Sequence, residues 1–416
     1  MKLEKNSFGI GDRFGRQGKA QLASIIKAKE NGINITPVWN KSNREHTIIG
    51  TTPQDTRREA DEAVSACGFK DSFYVDADHI GLKNVDAFIE SSDFFTLDVA
   101  DFIGHSADES DIQAFIEKHK KLIGPVAIPG IDETLEITEQ QVRDIAGKCL
   151  LAIKEAGKIY RHIEAAKGTN NFITEVSMDE TDQPQTPVEM LFILAAIADE
   201  GIPAGTIAPK FTGRFNKGVD YVGDVEKFSK EFEADVAVVA FAIKEFDLPK
   251  ELKLSVHSGS DKFSIYGPMA KTLKRFDAGL HLKTAGTTWL EELIGLAMAG
   301  GDGLALAKEV YSKAISRIDE LCEPYATVID IDRDKLPAPE TVDQWDEEAF
   351  ASALRHDQSC DKYDLNLRQL LHVAYKIPAE MGQRYMYALE KHEDIIAQNV
   401  TENIYDRHIR PLFIDI

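Results

Sequence analysis

Cysteine is scarce in this chain. The four that occur, Cys67, Cys149, Cys322 and Cys360, lie far apart and form no CxxC pair. That excludes a disulfide framework and a structural zinc site and fits thiols kept reduced. No stretch reaches the roughly 18 consecutive apolar residues that a membrane helix needs. The opening Met1-Lys2-Leu3-Glu4-Lys5-Asn6 is polar, unlike a signal peptide. Positive charge is also short: 48 Lys and Arg stand against 70 Asp and Glu, a net charge of -22. A nucleic-acid or anionic-membrane partner, which needs a basic footprint, is therefore excluded. A small anionic substrate is not, because a few local Lys and Arg can reverse the sign of one pocket. Low-complexity tracts are absent, and 43% hydrophobic residues suffice for a large core. These features together place a folded protein in the cytoplasm.

What the sequence does contain is a rhythm. Eight short apolar runs rich in Val, Ile, Phe and Tyr end in polar or charged residues: Ser7–Arg13, Ile35–Asn40, Ser72–His79, Phe94–Gly104, Phe172–Glu180, Thr206–Phe211, Leu252–Gly259 and Gly279–Gly286. Both-face burial of this kind marks parallel strands. Helical patterns separate them, clearest at residues 108–123, 186–200 and 224–247. Thr52-Pro53-Gln54-Asp55 combines an N-cap, a proline at the first helical position and an acidic third residue. Eight alternating β and α units predict an α/β fold, a closed (β/α)8 TIM-type barrel. Residues 1–321 form the catalytic barrel in this reading, with a helical insertion at about 124–171. Residues 322–416 lose the strand rhythm and read as a helical appendage packed on the barrel. An open dinucleotide-binding sheet is the rival topology. Gly9-Ile10-Gly11-Asp12-Arg13-Phe14-Gly15 places its third glycine one residue too late for GxGxxG, and no clear acidic ribose partner follows a second strand.

Barrel enzymes carry their chemistry at the C-terminal strand ends, where alternate residues point into the lumen. Polar residues gather there at that spacing. Tyr74, Asp76 and Asp78 share one side of the third strand, Thr96 and Asp98 of the fourth, Glu175 and Ser177 of the fifth. Lys210 ends the sixth, Ser255 and His257 share a side of the seventh, and His281 and Lys283 of the eighth. Burying so many ionisable groups is costly unless they pair or hold a metal. Two imidazoles and a carboxylate leave coordination positions open for substrate, so Glu175, His257 and His281 form the expected ligand set for a divalent ion such as zinc, manganese or nickel. Each histidine has a plainer reading as a core residue bonded to a carboxylate. Asp76 and Asp98 are acid/base candidates, or loop caps. Lys210 and Lys283 can neutralise a substrate carboxylate, form a Schiff base, or sit in salt bridges. Arg13 and Arg214 in the βα loops are anion-clamp candidates, or surface charge. Ser258, Lys262 and Thr284 lie in loops where small and hydroxyl residues let backbone approach a polyol, or simply make tight turns. In the appendage, Arg368, His372, Tyr375 and Arg384 are spaced for one side of a helical hairpin.

The blocks Ser255-Val256-His257-Ser258-Gly259-Ser260-Asp261-Lys262 and His281-Leu282-Lys283-Thr284-Ala285-Gly286-Thr287 resemble the tagaturonate epimerase family of bacterial hexuronate catabolism. Phe172-Ile173-Thr174-Glu175-Val176-Ser177-Met178-Asp179-Glu180 and Ala208-Pro209-Lys210-Phe211-Thr212-Gly213-Arg214-Phe215 carry the same likeness. The resemblance implies a metal-dependent isomerase that interconverts D-tagaturonate and D-fructuronate, with tagatose and fructose as uncharged analogues. The two uronates differ at C4, whereas the ketone is at C2, so enolisation alone does not reach C4. Reversible retro-aldol cleavage between C3 and C4 does. Transient oxidation at C4 is the other route and would use a nicotinamide, for which no motif is found. A Schiff-base aldolase using Lys210 or Lys283 and a non-catalytic sugar-acid binding protein are the alternative functions. Association into a homo-oligomer is left open by the sequence.

Overall fold

The computed structural model describes residues 1–179, 181, 183–284 and 287–415. Eight parallel strands close into a barrel in which each strand pairs with its chain neighbours. In chain order these are β1 (Asn6–Ile10), β2 (Thr36–Ser42), β3 (Tyr74–Ile80), β4 (Phe94–Asp98), β7 (Ile173–Met178), β8 (Ala204–Pro209), β9 (Lys253–His257) and β10 (Leu280–Lys283). β5 (Gly124–Val126) and β6 (Leu135–Ile137) form a separate antiparallel pair outside the barrel. β1 pairs with both β2 and β10, which closes the ring and leaves no edge among the barrel strands. All eight apolar runs are thus barrel strands, and the (β/α)8 expectation holds.

Helices cover the outside because the strands' outward faces are as apolar as their inward ends are polar. Their starts are chemically marked. Ser42/Glu45, Thr138/Gln141 and Thr186/Glu189 form reciprocal capping boxes. At the Thr52-Pro53 start, Asp55 accepts the Thr52 backbone N–H at 2.7 Å. Between β3 and β4 only a single 3-10 turn, Val85–Ala87, replaces the crossover helix. The 29-residue helix Glu139–Lys167 packs on β4 and on helix Pro187–Asp199 and so occupies the crossover between β4 and β7. After Cys322 the chain runs through helices, ending in Glu393–Glu402 and the π-helical Asn403–Ile414. These return to the barrel's wall. Glu393–Glu402 packs on Gly18–Glu30 and Thr287–Met298, and Asn403–Ile414 on Phe263–Phe276. All four cysteines are free. Among the described residues no helix is long and apolar enough to cross a membrane.

Candidate active site

The barrel lumen is built in tiers. At the bottom, His281 Nδ1 shares a hydrogen with Ser7 Oγ at 2.8 Å, and its ring lies against Phe94. Burial lowers its pKa to about 3, so it is a neutral imidazole. Its Nε2 is buried with no hydrogen-bond partner among the described residues.

One tier higher, Lys283 crosses the lumen. Its Nζ lies 2.8 Å from Asp76 Oδ2, 2.8 Å from Asp78 Oδ1 and 3.1 Å from Glu175 Oε1, and it donates to Thr96 Oγ1 at 2.7 Å. Room for its stem comes from β1, where a Cβ at Gly9 would meet Lys283 Cγ at 2.9 Å. Burial opposes the ammonium charge, but Asp76, Asp78 and Glu175 outweigh it and raise the pKa well above the usual lysine value. The same cation holds Glu175 and Asp78 ionised against their burial, well below the usual carboxylate range, with help from His257 and His79 respectively. Asp76 is the odd member. Burial, set against Lys283 and reinforced by Asp78 and Glu175, lifts it to about 7. A carboxyl poised there can both give and take a proton at neutral pH.

The top tier opens to solvent. Side-chain exposure rises from 0% at Asp76 and Glu175 to 13% at Asp78 and 26% at His79. Here His79, Asp179 and His257 each offer a ligand atom within 4.8 Å of the others. His79 stands on a β-bulge, where the β3–β4 register shifts between Ala77 and Ile80, and has φ 54°. That left-handed turn, costly for a side chain with a Cβ, brings two successive residues, Asp78 and His79, into hydrogen-bond contact at 2.9 Å. The bond to Nδ1 fixes the ring and leaves Nε2 for a ligand. His257 is held at both nitrogens, Nδ1 to Asp179 Oδ2 at 3.1 Å and Nε2 to Glu175 Oε1 at 2.8 Å. Burial disfavours its charge, yet Asp179 and Glu175, working against Lys283, raise its pKa to about 10. A buried imidazolium between two carboxylates marks a place where positive charge is wanted, and a divalent ion can replace that proton. Two imidazoles and a carboxylate on an open rim are a donor set that first-row divalent metals take.

The residues expected from the sequence divide accordingly. Asp76, Glu175, His257 and Lys283 come together. His281 is separate, because the register pairs His257 with Lys283, not with His281. Asp98 accepts the Ala100 backbone N–H at 3.0 Å and caps a turn. Arg13 is held by Glu45 at 3.0 Å and the His372 carbonyl, and lies 3.9 Å over the Tyr375 ring. Arg214, half exposed, pairs with Asp330 at 3.2 Å. Ser258 Oγ donates to the Lys283 carbonyl and Thr284 Oγ1 to the Gly9 carbonyl. Lys262 is fully buried and donates to Val219 O, Ser260 Oγ and Asp261 O. Lys210 is half-buried at the end of β8, its backbone N–H on Gln185. Glu180 and the Ala285-Gly286 pair lie outside the described residues. Alternation hid His79, which falls on the outward parity, whereas Asp179 continues the inward series of Glu175 and Ser177 by one more step.

Besides the Arg13 contacts with His372 and Tyr375, the appendage reaches this mouth through a buried hub. Asp261 in the β9 loop accepts from Arg368 Nη2 at 2.8 Å, shares a hydrogen with His356 Nδ1 at 3.1 Å, and lies 3.3 Å from His408 Nε2. Arg368 also donates to the carbonyls of Gly218 and Leu354. Arg384, the last of the four hairpin residues, is an exposed partner of Glu309.

Comparison with known proteins accords with this picture. The family model of tagaturonate epimerase matches residues 1–412. A tagaturonate/fructuronate epimerase of Thermotoga maritima is 29% identical over 419 residues, covering 97% of this chain and 80% of its own length. In structure, the glycerol complex of the fructuronate-tagaturonate epimerase of Cohnella laeviribosi superposes with a TM-score of 0.81 at 22% identity, over 99% of this chain and 82% of that one. Its native form gives 0.79 at 21% identity over the same shares. At that identity the superpositions speak for the fold. The match along nearly the whole sequence carries the assignment: this chain belongs to the tagaturonate epimerase family and is an epimerase.

Proposed function

We propose that this epimerase interconverts D-tagaturonate and D-fructuronate by reversible cleavage of the C3–C4 bond, with a divalent metal held by His79, Asp179 and His257. The observation that carries the reading is the convergence of those three residues on an open rim above a buried cluster of carboxylates clamped by one lysine. When bound, the metal supplies Lewis-acid stabilisation of negative charge developing on the substrate's keto half. Asp76 takes the C4 hydroxyl proton as the C3–C4 electron pair moves toward the C2 carbonyl, and returns it after the aldehyde fragment presents its other face. Lys283 keeps a fixed positive charge beneath the reacting atoms, and Glu175 orients His257 through Nε2. Among the acid/base candidates the geometry favours Asp76 over Asp98, whose carboxylate is used in a turn.

The Schiff-base alternative at Lys283 requires a free amine, and its three carboxylates favour the ammonium. The test is proton NMR of the protein with D-tagaturonate in deuterated water, metal-loaded and after chelation. The reading expects fructuronate that carries no deuterium at C4 and whose formation stops on chelation. No epimer from the metal-loaded enzyme sinks the substrate assignment. Deuterium at C4 sinks the cleavage route.

A further inference from the structure

The proposed substrates carry a carboxylate, and the cations expected to meet it are engaged elsewhere. Lys283 serves three carboxylates, Arg13 is paired with Glu45, Arg214 with Asp330, and Lys262 is spent on the β8 and β9 loops. Among the described residues, Lys210 and Lys217 after β8 remain without such a partner. Lys217, half-buried, makes no side-chain hydrogen bond or ion pair with a described residue. It stands on the loop after β8, and its backbone is fixed on both sides. Its own N–H bonds the Val328 carbonyl, and the next residue, Gly218, donates to Ser260 Oγ and accepts from Arg368.

Its side chain lies over Gly259, two residues beyond His257. A Cβ built at Gly259 would sit 2.9 Å from Lys217 Nζ, and Gly259 has φ 65°. Glycine there both permits the turn and leaves space for the ammonium. The charges acting on Lys217 are those of the mouth: Arg13, Glu45, Asp179 and Asp78. Lys210 is also half-buried; what favours Lys217 is its seat over the loop that follows His257.

We propose that the Lys217 ammonium, seated over Gly259 at the barrel mouth, takes the substrate's carboxylate and so sets the preference for a sugar acid. The inference rests on the hexuronate reading above. It also gives the C3–C4 cleavage a physical requirement. The carboxylate stays with the C4–C6 aldehyde fragment, so a cation gripping that end holds the fragment while C4 turns its other face to the enediolate.

The test compares Lys217→Met, Lys217→Arg and the unaltered enzyme, all metal-loaded. D-tagaturonate binding is measured by calorimetry and turnover by KM and kcat. Loss of one charge-assisted bond should weaken binding and raise KM roughly 10- to 100-fold for Lys217→Met. kcat should fall by less than about threefold, since the contact is made in both ground and transition states. Lys217→Arg should recover most of the loss, and metal content and melting temperature should stay at the unaltered values. Gly259→Ala, which displaces the ammonium from the other side, should shift KM the same way. Binding and KM of Lys217→Met within twofold of the unaltered enzyme overturn the assignment. So does an arginine variant no better than methionine. Binding without turnover by the unaltered enzyme overturns the reaction while the calorimetry still judges Lys217. No binding at all overturns both.

Discussion

Lys283→Met is the perturbation that best tests the electrostatics of the lumen. The substitution keeps much of the stem that fills the space beside Gly9 and removes the charge that three buried carboxylates share. Removing one partner of a buried ion pair costs about 3–5 kcal/mol, because the remaining charge is left without compensation. Unfolding entropy of about 2.1 cal/mol/K per residue gives this chain about 0.9 kcal/mol per kelvin, so the melting temperature should drop by about 3–6 °C. The loss should also depend on pH, with a sign that follows from the geometry. Asp76 already sits at about 7 with Lys283 in place. Without the lysine its folded-state pKa rises further, whereas its unfolded value stays near 3.9. A carboxyl raised in the folded state binds a proton that the unfolded chain lacks, so stability falls as pH rises through that window. Below pH 7 both proteins hold the proton and the deficit is flat. Above pH 7 only the variant holds it, and the deficit grows by about 1.4 kcal/mol per unit. Melting curves at pH 6, 7, 8 and 8.5 read this directly. A deficit under about 1 kcal/mol, or one independent of pH, would refute the claim that Lys283 neutralises the cluster.

The metal assignment predicts a second pH dependence. A ligand His257 must surrender the proton that its carboxylates hold up to about pH 10, so metal affinity measured by chelator competition should rise about tenfold per unit from pH 7 to 9. A flat profile removes His257 from the site. Asp78→Asn, which loosens the bond orienting His79, should lower metal affinity roughly 10- to 100-fold, read as metal retained after dialysis. Arg368→Met strips the Asp261 hub of its guanidinium. It should cost about 3–5 kcal/mol and speed amide exchange at both Gly218 and the 258–262 loop, and exchange confined to the helix around residue 368 would show that the hub does not hold the mouth.

The strands and most helices were legible in the sequence because hydrophobic period and capping chemistry are local properties. Alternation also said correctly that Asp76, Glu175, His257, His281 and Lys283 lie on inward parities. What alternation cannot give is height. Two residues along a strand are roughly 6–7 Å, enough to separate His281 from the rim that His257 reaches, and only strand register decides which residues share a level. His79 was hidden for a different reason. A bulge and a positive φ break the very alternation used to find the others. Lys217 lies in a loop with no period at all, and its place depends on Val328 and Arg368, more than a hundred residues away in sequence. Gly9, which had the look of half a nucleotide loop, is explained by the stem of Lys283 beside it.

The Asp261 hub has a consequence for how the molecule comes to life on the ribosome. His79, Asp179 and His257 have all been made once β9 has emerged. The loop carrying Lys217 waits for Val328 and Arg368, and the Asp261 loop beside it waits for His408. At translation speeds of about 5–20 residues per second, the stretch from β9 to His408 takes roughly 8–30 s to make. During that interval the mouth lacks the contacts that Val328, Arg368 and His408 give it. The loops of the mouth are therefore pinned last, after every barrel strand has been made.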